Sequence, residues 1–393
     1  MTFRILTLDG GGYRGRLAAL MLIQLQQAID EVCDKRKIPR KSIKDCFDLI
    51  AGTSTGSLIA SALTVGKSAQ EVFNIFANDG RSLFPPQNPL LLLLKASLGP
   101  IYDGKELMKT LNTYLGDRRM SDLDKALLIT VYDSWNNRPL NICSYDPGCE
   151  GIRLVDACRG SSAYPAAFPS HCLTANAETK SFFDELINDR SYFSYDLSCV
   201  GGSGIPLVDG GIAANNPAAV ALAESKGSQK LKNWFSQKPP IDAHNGNSND
   251  GDTLMVSIGT GQIPPDINYQ SGRSYSVRNW TKAFGNPLLE MVYVGLSRAN
   301  DELCRAILGA DNHYRFQPVV LSETVKNPVI SRNSVVLVTE EEQKAFGSAV
   351  FSATDEVDRV LDKVCYDYFN KNDVSADPST PLLRLNSLAE RLV

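Results

Sequence analysis

The stretch Phe3-Arg-Ile-Leu-Thr-Leu-Asp-Gly-Gly-Gly-Tyr-Arg-Gly15 decides the fold. Phe3 to Leu8 is short and apolar enough for a buried strand, and it passes straight into a glycine cluster that turns the chain. Behind the glycines, Leu17, Leu20, Met21, Ile23, Leu25, Ala28, Ile29 and Val32 recur at three- and four-residue steps, the period of a helix with one buried face. The same order of strand, glycine turn and helix returns at Cys46-Phe-Asp-Leu-Ile-Ala51, which leads into Gly52-Thr-Ser-Thr-Gly56 and a small-residue helix from Ser57 to Val65. Two such units in succession predict a parallel sheet covered by helices.

Further along, Leu127 to Asp133 reads as a third strand. Ile205 to Val208 reads as a fourth, ending in Asp209-Gly210-Gly211 before a helix that opens near Asn215-Asn216-Pro217. Leu254 to Ile258 continues the sheet and turns at Gly259-Thr-Gly261. Pro287 to Leu308 carries Leu289, Val292, Leu296, Leu303 and Ile307 at helical spacing and stops at Gly309. Thr339 and Glu342 form a capping box, after which Phe346, Val350, Ala353, Val357, Val360, Val364 and Tyr368 predict one long terminal helix. Asp242 to Asp252 and Ile263 to Arg278 read as surface loops, and the periodicity is lost beyond Asn370. The expected architecture is a three-layer α/β/α sandwich with a mostly parallel central sheet, residues 3–320, followed by a C-terminal helical extension, 321–370, and a tail, 371–393.

A composition of 43% hydrophobic and 21% charged residues supports a large core and argues against a disordered chain. Forty basic against 44 acidic residues leave a formal charge of −4, so no overall basic field points to a nucleic acid polymer. The nine cysteines are scattered without a C-x-x-C pair, which signals neither a disulfide framework nor a metal site; reduced, mostly buried thiols are expected. The apolar run near Met1 is too brief for a secretory signal core, and no stretch approaches the roughly 18 consecutive apolar residues of a spanning helix. A cytoplasmic location is the expectation.

Gly52-x-Ser54-x-Gly56 between a strand and a helix is the setting in which a serine is held on a sharp turn with its hydroxyl exposed. By itself the pattern is also that of an ordinary helix cap. Gly10-x-Gly12-x-x-Gly15 after a strand suits a dinucleotide site, a phosphate loop or an oxyanion hole, all of which need unhindered backbone N–H groups. The acidic residue a dinucleotide site needs at the end of the second strand is missing, since Asp30 falls inside the first helix. Arg16-Leu17 stand where a phosphate loop has Lys-Ser/Thr. An oxyanion hole remains, and Ser54 supplies its nucleophile. Of three histidines, His171, His244 and His313, only the last two follow Asp209 in the order of a hydrolase triad. His244 lies in a polar loop and His313 reads as structural. Asp103-Gly104 reads as a helix cap. The leucine run 90–94 suits a lid at a lipid surface and a buried helix equally.

Asp9-Gly-Gly-Gly-Tyr-Arg-Gly15, Gly52-Thr-Ser-Thr-Gly56 and Asp209-Gly210-Gly211, in that order and each after a strand, resemble the glycine loop, nucleophile elbow and catalytic aspartate of the patatin-like phospholipases. Ala163-Tyr-Pro-Ala-Ala-Phe-Pro169, Ala214-Asn-Asn-Pro217, Ser257-Ile-Gly-Thr-Gly261 and Tyr314-Arg-Phe-Gln317 extend the resemblance to about residue 317. It implies Ser54 as nucleophile, Asp209 as general base, Gly11 and Gly12 N–H groups as oxyanion donors, and Arg14 as a brace or source of positive potential. It also implies membrane or dispersed lipid as substrate, neither metal nor cofactor, and ester hydrolysis with only peripheral membrane contact. Some bacterial relatives are immune effectors switched on by a cyclic nucleotide, so a small-molecule activator is compatible with the resemblance; a non-catalytic lipid- or nucleotide-binding module is the other alternative. Tyr13 replaces the usual aliphatic residue and is expected to narrow the acyl pocket, and Ser57 replaces glycine or alanine.

Overall fold

The computed structural model describes residues 2–86, 98–165, 167–188, 204–237, 253–264, 273–276, 279, 287–324, 334–370 and 380–393. The two strand–turn–helix units form as expected. Strand β1 (Phe3–Leu8) leads through a short turn of 3-10 helix into α1 (Gly15–Arg36), and β2 (Leu49–Thr53) leads into α2 (Thr55–Thr64). Helices α3 (Ala69–Leu83) and α4 (Lys105–Leu115) precede β3 (Ala126–Asp133) and β4 (Arg138–Cys143). Asp103 caps α4 through its bond from the Lys105 N–H, 2.9 Å. Helix α5 (Leu154–Ser161), β5 (His171–Thr174), β6 (Gly204–Asp209) and α6 (Ala218–Gly227) follow. Then come β7 (Thr253–Ile258), α7 (Pro287–Leu308), β8 (His313–Phe316), β9 (Val319–Ser322) and β10 (Val335–Val338).

The central sheet runs β5-β6-β3-β2-β1-β7-β8, with β4 added to β3. Strands β3, β2, β1, β7 and β8 are parallel. Alternation along β1 sends Leu6 and Leu8 into one apolar core with α1 and Phe3 and Ile5 into a second with α6, so helices cover both faces.

One expectation about the sheet changes. The fourth strand, β6, is antiparallel to β3. Val131 pairs with Leu140 of β4 and also with Asp209 of β6, which places those two strands on opposite edges of β3. On the edge that β6 uses, β2 already occupies β3 up to Thr130. Strand β6 therefore continues the line of β2 from the opposite direction, and the two strands meet end to end. The residue after β2 is Ser54 and the last residue of β6 is Asp209.

The predicted single terminal helix is two helices, α8 (Glu340–Ser348) and α9 (Asp355–Asn370). Thr339 makes the expected capping box with Glu342. Between the helices the chain bends, and the Thr354 hydroxyl accepts from the Val357 N–H at 3.1 Å, starting α9 beside an acidic first turn. Phe346, Val357, Val360 and Val364 bury into the same core, which is why their spacing reads as unbroken. The described end of the tail is helical as well, α10 (Pro381–Leu392), with Pro381 in its first turn and Leu385, Leu388 and Leu392 buried.

Candidate active site

Ser54 sits between β2 and α2 at φ 53° and ψ −124°, a backbone conformation that costs a non-glycine residue of order 1–3 kcal/mol and persists only where the surroundings enforce it. The enforcement is visible. A β-carbon on Gly52 would stand 2.2 Å from the Gly56 carbonyl oxygen, and one on Gly56 would stand 2.2 Å from that of Leu8, so neither position admits a side chain. The Ser54 N–H donates to Ser161 Oγ at 2.8 Å, and Ser161 donates in turn to the Thr130 carbonyl at 2.7 Å. The Ser54 carbonyl accepts from the Ser57 N–H at 2.8 Å and from Ser57 Oγ at 2.6 Å, which gives the unusual Ser57 a bracing role. No side-chain bond caps the helix from Ser54, contrary to the ordinary-cap reading of the motif.

Opposite stands Asp209, 2% exposed, with Ser54 at 9%. Its Oδ1 accepts from the Gly211 N–H at 2.7 Å. Burial pushes the carboxyl up to about 7, against the pull of the Ser54 hydroxyl and the Gly211 N–H, both of which favour the charged form. Tyr164 and Tyr293, packed at a tilt with ring centroids 5.6 Å apart, lie near enough for the carboxylate to add to burial in raising both phenols. Gly211 is held close too, since a β-carbon there would meet the Tyr293 ring at 2.5 Å. Gly210 presses on β3 in the same way, since a β-carbon there would stand 2.2 Å from the Thr130 carbonyl oxygen.

The glycine loop lies alongside. A β-carbon on Gly10 would be 3.1 Å from Ser54 Cβ. The start of the loop is tied to the sheet: the Asp9 N–H donates to the Ile258 carbonyl at 3.0 Å, the Gly10 N–H to the Asn215 carbonyl at 3.1 Å, and Thr260 Oγ1 to the Gly10 carbonyl at 2.9 Å. Asp9 is gripped by both terminal nitrogens of Arg315 at 2.8 and 2.5 Å, and Arg315 also reaches Ser257 Oγ at 2.7 Å. Gln317 Oε1 accepts from the Gly261 N–H at 2.9 Å. The Ser257–Gly261 and Tyr314–Gln317 segments are the brace of this loop. Among the described residues the N–H groups of Gly11 and Gly12 find no acceptor, while the Arg14 N–H turns back to the Gly11 carbonyl at 3.2 Å. Arg14 is partly buried, which brings its guanidinium down to about 10, and it lies over the Phe346 ring at 5.5 Å. Gly15 abuts Thr55 Oγ1, where a β-carbon would stand at 2.4 Å.

Serine, carboxylate and free N–H donors thus gather at one point, the constellation for attack on an acyl carbonyl. The two described histidines lie elsewhere. His171 Nε2 is 3.1 Å from Asp156 on α5. His313 pairs with Met255 at the start of β8, away from the strand ends that carry the loop; it lies 3.5 Å from Asp301, and burial pulls it down to about 4. His244 is outside the described residues. Tyr13 departs from expectation: 1% exposed, it packs near Phe76 and Phe84, and its hydroxyl donates to Asp358 of α9. Among the described residues no group of His, Cys, Asp and Glu is arranged to hold a metal ion, and no helix is long and apolar enough to cross a membrane.

A family model described as patatin-like phospholipase matches residues 6–222. Patatin-like protein 1 of Arabidopsis thaliana is 30% identical over 306 residues, covering 73% of this chain and 66% of that protein. A cGAMP-activated phospholipase of Escherichia coli (strain TW11681) is 32% identical over 228 residues, 56% of this chain and 55% of that protein. The chain thus spans just under two thirds of the plant protein's length and about half of the bacterial one's. Among solved structures, VipD from Legionella pneumophila aligns over 92% of this chain and 67% of that one with a TM-score of 0.36 and 12% identity, too loosely to bear on the fold.

Proposed function

The chain belongs to the patatin-like phospholipase family, and from that premise we propose that it hydrolyses lipid acyl esters through an acyl-Ser54 intermediate with Asp209 as general base. The observation that carries this is the buried carboxyl of Asp209, raised to about 7, facing a serine on a strained turn. Asp209 takes the hydroxyl proton as Ser54 Oγ attacks the acyl carbonyl. The oxygen that becomes negative is received by the N–H groups of Gly11 and Gly12, with Arg14 adding positive potential nearby. The tetrahedral intermediate expels the alcohol, which leaves with the proton from Asp209. Water then attacks the acyl-serine and gives a proton to Asp209, which passes it to Ser54 Oγ as the bond to the acyl group breaks and the fatty acid leaves. No step calls for a metal or cofactor.

Residues 3–320 are taken as the hydrolase unit, 321–370 as its extension and 371–393 as its tail. Phospholipids, galactolipids and other acyl glycerides form the substrate class. Incubation with a mixed lipid extract, followed by mass spectrometry, tests this. Free fatty acid and lysolipid are expected with the wild type and not with Ser54→Ala; equal release by both, or none by the wild type with or without cGAMP, refutes it. The arm with cGAMP follows from the similarity to the cGAMP-activated relative. The eight described cysteines are free thiols, which suits a reducing compartment such as the cytoplasm.

Peripheral contact with a lipid surface has a candidate on α7. Leu288, Met291 and Val292 are exposed on the helix that places Tyr293 against Gly211. Leu288→Ser with Met291→Ser is expected to lower vesicle hydrolysis roughly tenfold and leave a short soluble ester unaffected. Equal loss on both substrates would assign these side chains to the fold instead. The leucine run 90–94 lies outside the described residues.

A further inference from the structure

The first half of the glycine loop is tied to the sheet by Asp9, Gly10 and Thr260. The second half is fastened differently, by the C-terminal helices. The bend between α8 and α9 lies directly on it: a β-carbon on Gly12, which sits at φ +60°, would stand 2.1 Å from the Val350 carbonyl oxygen. The bend is itself anchored. The Ala353 N–H donates to the Phe84 carbonyl at 2.8 Å, the Tyr102 hydroxyl donates to the Phe351 carbonyl, and the Phe351 ring packs on Tyr164 at 5.8 Å between centroids.

Immediately after Gly12, two side chains reach across to α9. The Tyr13 hydroxyl donates to Asp358, and Arg16 grips Asp362 through Nη2 at 2.8 and 2.9 Å, with its Nε 3.5 Å from Asp358. Both side chains are buried. Arg81 on α3 holds Asp355 at the start of the same helix. The matched family region ends at residue 222, so all of these partners on α9 lie beyond it. An aliphatic residue in place of Tyr13 could fill the space beside Phe76 and Phe84 and could not make this bond.

We propose that the α8–α9 hairpin is a positioning element for the oxyanion loop, with Tyr13–Asp358 as its fastener and the Val350 carbonyl as the stop behind Gly12. This rests on the reading of Ser54 and the loop as the hydrolytic site. The N–H groups of Gly11 and Gly12 have no internal acceptor to orient them among the described residues, so their aim depends on what holds the peptide planes from outside.

The test compares Tyr13→Phe and Asp358→Ala, neither of which can make the bond, with the wild type on a soluble ester. A long-chain trifluoromethyl ketone, whose serine adduct carries the oxyanion, supplies the second readout. Complete loss of one oxyanion donor costs about 10²–10³ in turnover, and loosening the loop should cost roughly 3–10-fold. Each variant is expected to lose that factor in kcat with KM within about twofold. The ketone should weaken in proportion to kcat/KM while fatty acid binding holds, and the double variant should be no worse than either single one. Tyr13→Phe keeps the ring, so it serves even if Asp358→Ala misfolds. Unchanged kcat in folded Tyr13→Phe, or equal weakening of ketone and fatty acid, would reduce the hairpin to packing. Ser54→Ala in the same assay separates the two readings: if it remains active, the site assignment has failed whatever Tyr13→Phe does.

Discussion

Asp209→Asn is expected to lose hydrolysis by at least about 10³-fold and to melt at a higher temperature than the wild type. The two effects share one cause. Asparagine cannot take the Ser54 proton, yet it fills the same space and can keep accepting from the Gly211 N–H through its side-chain oxygen. In the wild type the folded-state carboxyl is raised to about 7, above an unfolded value of about 3.9. Its contribution to stability is therefore fully present below the unfolded value and is lost as pH rises through about 7. Above that, the native state holds an ionised carboxylate it would be more stable without. At about 1.4 kcal/mol per pKa unit the difference is of the order of a few kcal/mol, enough to move Tm by several degrees at pH 8. Ser54→Ala should be equally inactive, and it also removes the hydroxyl from a strained residue. His171, His244 and His313 should each tolerate replacement with activity kept within a few-fold. A folded Asp209→Asn that retains substantial turnover, or a histidine variant that is folded and dead, would return the site to an ordinary triad.

A steep acid limb in the rate profile is the second large effect. Only the ionised form of Asp209 can act as base, so kcat/KM should rise with pH through about 7 and level off above it. Two units below that midpoint, at about pH 5, the rate should fall to roughly a hundredth of the plateau. An aspartate at the ordinary value of about 3.9 would leave the rate nearly flat over that interval. Activity is thus gained over the same range in which the Asp209 contribution to stability is lost.

The legible parts of the molecule were those determined within a few neighbouring residues. Glycines flanking Ser54, the strand before them and the small residues after them define the elbow locally, because the strained turn at Ser54 closes only without β-carbons at Gly52 and Gly56. The direction of β6 was not legible. Whether a short apolar strand runs with or against its neighbour depends on the partner edge still open, and on β3 that edge lies beyond the end of β2. Strand β4 is not legible either, because Pro139 sits within it and proline argues against a central strand. The break before α9 was masked by apolar positions that face the same core on both sides of it, although Thr354 and Asp355 marked the new start.

At the candidate site, the residues that the structure brings together were legible and the residues holding them were not. Ser161 reaches Ser54 through a single hydroxyl from α5, and Arg315 reaches Asp9 from β8, contacts that no periodicity encodes. Tyr13 invited a reading as a pocket wall because it stands in the loop, whereas its side chain is directed to the C-terminal helix.

The most direct test of the Ser54–Asp209 pair is the rate of fluorophosphonate labelling against pH, with the modified residue located by peptide mass spectrometry. A single adduct on Ser54 is expected, forming at a rate that rises through about pH 7 and is lost in folded Asp209→Asn. Labelling at another residue, or a rate on Ser54 that is the same at pH 5 and pH 8 and unaffected by Asp209→Asn, would contradict the dyad.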